Sequence, residues 1–352
     1  NENSKNHNGV RSQESGVRDS SLELLRIVAM LLIISSHFSV HGRFNFPANS
    51  ISINKLWTQF MVTGHYGNNL FVLISGYFLV KSQGFKVRKL FNLWLRIIFY
   101  SILLFLTFIF LGIEKFSWKT AVRFVMPLTL NQWWFATAYF ILYLMHPYLN
   151  ILLNNLSRRD YEKFLILIFT CCSIIPALTS RGFGSYVVTD FVCLYSLAGY
   201  FRLHDPEFGN KKFILYGIGF LLVNCLLIIF INVILLKFPS IGWKPLYFVG
   251  MLRPFTVLGT LCLFLGFRKL NIKNNNFINL RAAATFGVYL IHEHLFVKNF
   301  LWRTVFKNAS WQDSRYLIPY SIAAVIIVYV VCTVIEIVRS KIFKLISNGK
   351  LL

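Results

Sequence analysis

Acidic residues are scarce in this chain, and so is charge of any kind. Thirteen Asp and Glu stand against 36 Lys and Arg, and charged residues make up only 14% of the sequence. No long polar stretch is present from which a second, water-soluble domain could be built. The six cysteines (Cys171, Cys172, Cys193, Cys225, Cys262, Cys332) lie inside apolar runs and form no Cys-x-x-Cys pair. That argues against a disulfide framework or a cysteine metal site, and for small buried core residues. The first apolar run also lacks a small-x-small cleavage site and contains Arg26. It therefore reads as an uncleaved first span rather than a signal peptide.

What the chain has in quantity is apolar surface. It is 56% hydrophobic and 17% aromatic, with a mean hydropathy of +0.59. A soluble globular chain is about 45–50% apolar and about a quarter charged. The composition predicts an all-α, polytopic membrane protein. The formal charge of +23 would suggest nucleic acid in a soluble protein. Here the basic residues sit in short loops between apolar runs, which points to orientation in a bilayer, contact with anionic membrane lipids, and no nucleic acid.

Runs of about 17–25 mainly apolar residues mark spans. About ten are expected, at 22–40, 66–80, 92–111, 133–154, 163–179, 187–203, 212–236, 247–267, 284–301 and 316–338. Segments 1–20 and 341–352 read as a disordered cytoplasmic tail and a short basic tail, flanking one membrane domain at 21–340. Basic residues are in excess on the side that holds Lys81, Lys86, Arg88, Lys89, Arg158, Arg159, Arg268, Lys269 and Arg339. The positive-inside rule then places both termini in the cytoplasm, in a multi-pass protein of the cell membrane.

The first span, "LELLRIVAMLLIISSHF" (Leu22–Phe38), keeps two polar groups. Arg26 and His37 are eleven positions apart. Eleven residues turn about 1100°, roughly 20° past three full turns, so both side chains share one face about 16 Å apart along the axis. Met30 and Ile33 lie on the same stripe, and Glu23 is an i,i+3 partner for Arg26. Taken singly, Arg26 would also serve as a positive-inside anchor and His37 as an interfacial histidine. Ionisable groups inside a membrane nonetheless point to function. A neutral histidine can take a proton from a hydroxyl. An arginine suits a phosphate or carboxylate.

Arginine, ten residues, histidine in the first span resembles the signature of the acyltransferase 3 family of integral-membrane O-acyltransferases, and Glu23 matches its acidic residue just before the arginine. "NNLFVLISGYFL" (Asn68–Leu79) resembles the family's Phe-x-x-x-Ser-Gly-aromatic motif, and "RKLFNLWLRIIFYS" (Arg88–Ser101) its basic approach to the third span. "WFATAYFILYLMHPYLN" (Trp134–Asn150) and "TFGVYLIHEH" (Thr285–His294) resemble later spans of members from polysaccharide biosynthesis loci. The likeness runs from about residue 20 to 340. One departure is the lack of a proline after Arg96.

The resemblance implies a ten-span core that takes an acyl group, usually acetyl, from cytoplasmic acetyl-CoA. It implies transfer to a hydroxyl of an extracytoplasmic polysaccharide or lipid-linked glycan, without a metal. His37 and Arg26 would be the catalytic pair, with Glu23 holding Arg26. His37 would act either as general base or through an acetyl-imidazole. Arg88, Lys89 and Arg96 would hold the phosphates of acyl-CoA, although plain positive-inside bias would also place them. Ser75, Gly76 and Tyr77 would line a narrow channel for the acyl-CoA arm, although small residues equally permit close helix approach.

In "IHEH", His292 and His294 are about 200° apart on a helix and cannot chelate from one turn. His292 is a further site candidate. Glu293 reads as a structural carboxylate paired with Arg253 or another base. His41 and His65 fall in outer-loop positions that carry no assignment. A transporter or flippase of lipid-linked glycans is the alternative. It would need internal repeats or paired broken helices, and no symmetric Gly/Pro pair is evident in the sequence.

Overall fold

The computed structural model describes residues 19–47, 49–84, 86–179, 187–205, 207–239 and 244–346. Among these residues every regular element is a helix. The expected tails fall largely outside them, at 1–18 and 347–352. Asp19 caps the first helix, and the last helix continues through Ile346.

In chain order the helices are α1 (Ser20–His41), α2 (Ile53–Met61), α3 (Gly64–Leu79), α4 (Val87–Phe110), α5 (Trp118–Val125) and α6 (Trp134–Asn155). They continue with α7 (Arg158–Thr179), α8 (Val187–Leu203), α9 (Phe213–Lys237), α10 (Pro254–Arg268), α11 (Asn276–His292), α12 (Leu295–Phe300) and α13 (Leu317–Ile346). Six of them (α1, α4, α6, α7, α9 and α13) are long and apolar enough to cross a membrane. α3, α8 and α10 have 16, 17 and 15 residues, short of the roughly 20 a straight span needs.

Three expected spans differ from their sequence outline, each for a local reason. The run at 247–267 becomes helical only at Pro254, because a residue before proline is driven out of the α region and Arg253 is extended. The run at 284–301 is broken. α11 ends at His292, Glu293 caps it, His294 is extended, and α12 restarts at Leu295. α7 widens to a π turn over Thr170–Ile174 just before Pro176, whose missing N–H leaves a backbone carbonyl without its helical donor.

α1 lies at the centre, packed by α3, α11, α13 and α10. Its N-terminus is fixed by side chains. Asp19 accepts from the Ser21 and Leu22 amides at 2.9 and 3.3 Å, and the Ser20 hydroxyl donates to Asn279 of α11 at 2.9 Å. α11 runs parallel to α1 from that shared start. The last residue of α11, His292, therefore arrives beside His37.

The short α3 ends inside the bundle, where orphan carbonyls would otherwise be costly. Asn150 of α6 donates to the Leu79 and Ser82 carbonyls at 2.8 and 3.0 Å, and Asn154 donates to Val80 at 3.0 Å. Outward faces stay apolar. On α9, Leu215, Leu222, Leu226 and Phe230 are exposed, as a lipid-facing helix requires.

Candidate active site

The stripe read from the first span is the spine of the site. On α1, Arg26 donates to Glu23 at 2.8 Å. Arg26, Met30 and Ile33 line one cavity of about 270 Å³ together with Phe71 and Ser75 of α3, Arg96 of α4, Phe135 of α6 and Tyr289 of α11. His37 lies one helical turn beyond Ile33. The cavity thus follows α1 from two arginines towards the imidazole.

At the His37 end, four further ionisable side chains converge. His37 Nδ1 lies 3.0 Å from His292 Nε2 and 3.2 Å from Glu293 Oε2. His41 Nε2 lies 3.0 Å from the same Glu293 oxygen. Lys298 Nζ reaches the other carboxylate oxygen, Oε1, at 2.7 Å. Each contact follows from the backbone. His37 and His41 are i,i+4 on α1, and the break after α11 turns Glu293 towards them while α12 brings Lys298 back.

Hydrogen-bond bookkeeping assigns the tautomers. His292 Nδ1 lies 2.6 Å from the Val288 carbonyl, which can only accept. His292 Nδ1 therefore carries the proton, and neutral His292 presents a bare Nε2. His37 must then donate from Nδ1, with Glu293 Oε2 as a second acceptor. The lone pair of His37 sits on Nε2, the nitrogen that faces away from this network. A buried carboxylate beside the donating nitrogen also stabilises the imidazolium formed on proton uptake, the same logic that orients the histidine of a hydrolase triad.

The other expected site residues divide. Ser75 and Arg96 line the cavity. Arg96 also stands 3.8 Å from Glu336 of α13, which Arg339 holds at 2.7 Å and to which the Tyr100 hydroxyl donates. Gly76 and Tyr77 are not brought to the cavity. Gly76 meets α8, where a Cβ would sit 3.1 Å from the Tyr195 backbone. The Tyr77 hydroxyl accepts from Arg202 at 3.2 Å, with its ring beneath the Arg202 and Arg268 guanidiniums. Arg88 and Lys89 are exposed at the start of α4. Lys89 is seven residues before Arg96, so it shares the Arg96 face about 10 Å further out.

Glu293 is not paired with Arg253. That arginine donates to the Pro176 carbonyl at 2.6 Å and covers the Tyr247 ring. His292 and His294 turn to different partners. The His294 ring stacks on Phe124, and its Nδ1 accepts from the Phe296 amide at 3.3 Å. The residues that sequence reasoning passed over are His41, Lys298 and Tyr289. The i,i+4 spacing of His37 and His41 was the available signal for the first. The other two depend on where α11 stops. His37, His41 and Glu293 bring three potential ligand atoms within 4.8 Å of one another. Lys298 already supplies a positive charge to that carboxylate.

A family model described as an acyltransferase domain matches residues 19–337. The chain belongs to the acyltransferase 3 family. No curated protein and no solved structure matches it. The chain is therefore a membrane acyltransferase, and Arg26, Met30 and Ile33 of this acyltransferase line its cavity, with His37 one turn beyond.

Proposed function

We propose that this acyltransferase carries an acetyl group from cytoplasmic acetyl-CoA to a hydroxyl of an extracytoplasmic polysaccharide or lipid-linked glycan in the cell membrane. The observation that carries the reading is the cavity itself. It has Arg26 and Arg96 at one end, an apolar stripe along its length, and His37 one turn beyond the other. A volume of about 270 Å³ suits a slender acyl-pantetheine arm and is too small for the nucleotide as well. A second cavity of about 340 Å³ shares Arg96 and Ala283 with the first and adds Asn92, Arg339, Ser340 and Lys344. Glu336 also lines it, between Arg96 and Arg339, and the surplus of cations over this one acid offers the phosphates of CoA a hydrogen-bonding home.

In this reading His37 Nε2 takes the proton of the acceptor hydroxyl as its oxygen attacks the thioester carbonyl. The C–S bond then breaks, and the departing CoA thiolate takes the proton from His37, which returns to its neutral form. Glu293 balances the charge on His37 during the step. Arg26, steadied by Glu23, and Arg96 position the donor. Tyr77 and Gly76 lie outside the cavity.

The test is transfer from radiolabelled acetyl-CoA to glycan in membranes that contain the protein. Arg96→Ala is expected to raise the KM for acetyl-CoA about tenfold or more, by the loss of charge-assisted bonds to phosphate, with the kcat less affected. Equal KM values for variant and wild type would remove Arg96 from the donor site. Loss of glycan export without loss of acetylation would instead mark a transporter.

We also propose ten membrane-crossing segments with both termini cytoplasmic, the shorter helices crossing where the bundle shields their ends. In a background from which the six native cysteines have been removed, Ser82→Cys should react with an impermeant maleimide only after the membrane is opened. Labelling of intact cells would invert the orientation.

A further inference from the structure

Beyond His37 the protein ends in cations that its own acids do not neutralise. Two of the segments at this end, 41–65 and 293–316, contain Arg43, Lys55, Lys298, Arg303, Lys307 and Arg315 against only Glu293 and Asp313, and a third, 112–132, adds Lys115, Lys119 and Arg123 against Glu114. Lys298 is spent on Glu293 at 2.7 Å. Lys55 donates to the Pro47 and Ser50 carbonyls at 2.8 and 2.7 Å. Arg315 covers the Tyr316 ring. Arg43 and Arg303 are exposed, and neither has an acidic partner among the described residues.

These two arginines are held near one another by the fold. The end of α1 packs against the turn Leu301–Val305. Phe38 meets Trp302 edge to face at 5.7 Å between centroids, and Asn308 donates to the Phe38 carbonyl at 2.8 Å. Partial desolvation and then the neighbouring Arg43 charge lower the pKa of Arg303 from its ordinary value. Arg43 also sits at φ +56°, a left-handed conformation uncommon for a residue with a Cβ and often kept where function needs it. Two like charges on adjoining segments without an acidic partner oppose folding, unless an anion is to be met there.

We infer that Arg43 and Arg303 form an anion-binding subsite for the acceptor, so that the glycan acylated at His37 carries a carboxylate or phosphate close to the reacting hydroxyl. The inference rests on the proposed glycan acylation. Arg43 follows His41 by two residues, and Arg303 follows Lys298 by five. Both therefore lie just past the His41–Glu293–Lys298 cluster, at the end of the bundle from which an acceptor would reach His37. A guanidinium pair recognises a carboxylate or phosphate by paired N–H donors, and a neutral glycan would leave the two charges facing each other.

The test uses intact cells that make the full chain and their own surface glycan. O-acetyl content is measured after the glycan is separated by anion exchange, and uronate and phosphate are assayed in each fraction. The wild-type acetyl group is expected on anionic repeat units. Arg43→Gln with Arg303→Gln should reduce that acetylation about tenfold or more, while the Lys pair retains most of it. Lys115→Gln with Lys119→Gln, which removes the same charge from the same end, should change it less than twofold.

Acetyl groups confined to neutral glycan, or a Gln pair that acetylates as wild type does, would overturn the subsite. An equal loss in the Lys115/Lys119 control would also overturn it, by showing that general attraction to anionic headgroups is at work. No acetyl on any glycan with the wild-type protein would instead sink the acceptor proposed above.

Discussion

His37→Gln is expected to leave the protein folded and membrane-bound while acyl transfer falls by about 10²–10⁴-fold, the usual contribution of a positioned general base. Glutamine keeps the side chain's approximate size and can still donate towards His292 Nε2 and Glu293 Oε2, so the buried network is not stripped of its donor. What it lacks is a second nitrogen with a basic lone pair. The effect should therefore appear in kcat, with the KM for acetyl-CoA near the wild-type value, because the arginines proposed to hold the donor, Arg26 and Arg96, line the cavity away from His37. His292→Gln should cost far less. An amide oxygen can replace His292 Nε2 as acceptor, and Glu293 Oε2 at 3.2 Å remains a second acceptor for the same proton. Rates within twofold of wild type for His37→Gln would sink the general-base reading. A loss at His292→Gln as large as that at His37→Gln would show that the assigned tautomer is wrong.

The parts of this arrangement that sequence reasoning reached are those that lie on one helix. Arg26, Met30, Ile33 and His37 share a face by the helical repeat alone, and the cavity follows that face. Glu23 meets Arg26 because i,i+3 neighbours must. What was not legible depended on breaks in the chain. The run 284–301 is apolar enough to look continuous, yet it stops at His292, and only that stop aims Glu293 and Lys298 at His37. Ser75 and Gly76 are adjacent, so one faces the cavity and the other faces α8. A motif read as a unit gave both the same role, whereas 100° of helical rotation gives them different ones. The six long spans were visible from hydropathy. Of the short helices, α3 and α8 have close to the lengths expected of them. α10 is shorter than its apolar run, whose flank 247–253 carries no helix-stop signal other than the proline that begins α10.

Gly67→Leu is expected to have the largest effect on stability, because α1 and α3 touch through backbone at this point. A Cβ on Gly67 would overlap the Ala29 carbonyl oxygen and crowd the Ile33 side chain. A carbonyl in the middle of a helix cannot rotate aside as a long side chain can, so the helices themselves must separate. In a membrane, where close packing rather than water exclusion holds helices together, a small residue at the contact carries much of the association. Overpacking of this kind costs about 1–3 kcal/mol and occasionally more.

The damage should extend to function, since Arg26, Met30 and Ile33 on α1 face Phe71 and Ser75 on α3 across the cavity. Gly219→Leu on α9 is the matched control. It adds the same side chain at a position with nothing within 4 Å, and it should stay within about 0.5 kcal/mol of wild type, as surface substitutions do. Melting of the detergent-solubilised proteins distinguishes the two. A clear drop in Tm at Gly67 with none at Gly219 is expected. Equal melting temperatures would mean that α1 and α3 are not in backbone contact. In that case the cavity between them, and the path it gives from Arg26 to His37, would lose its walls.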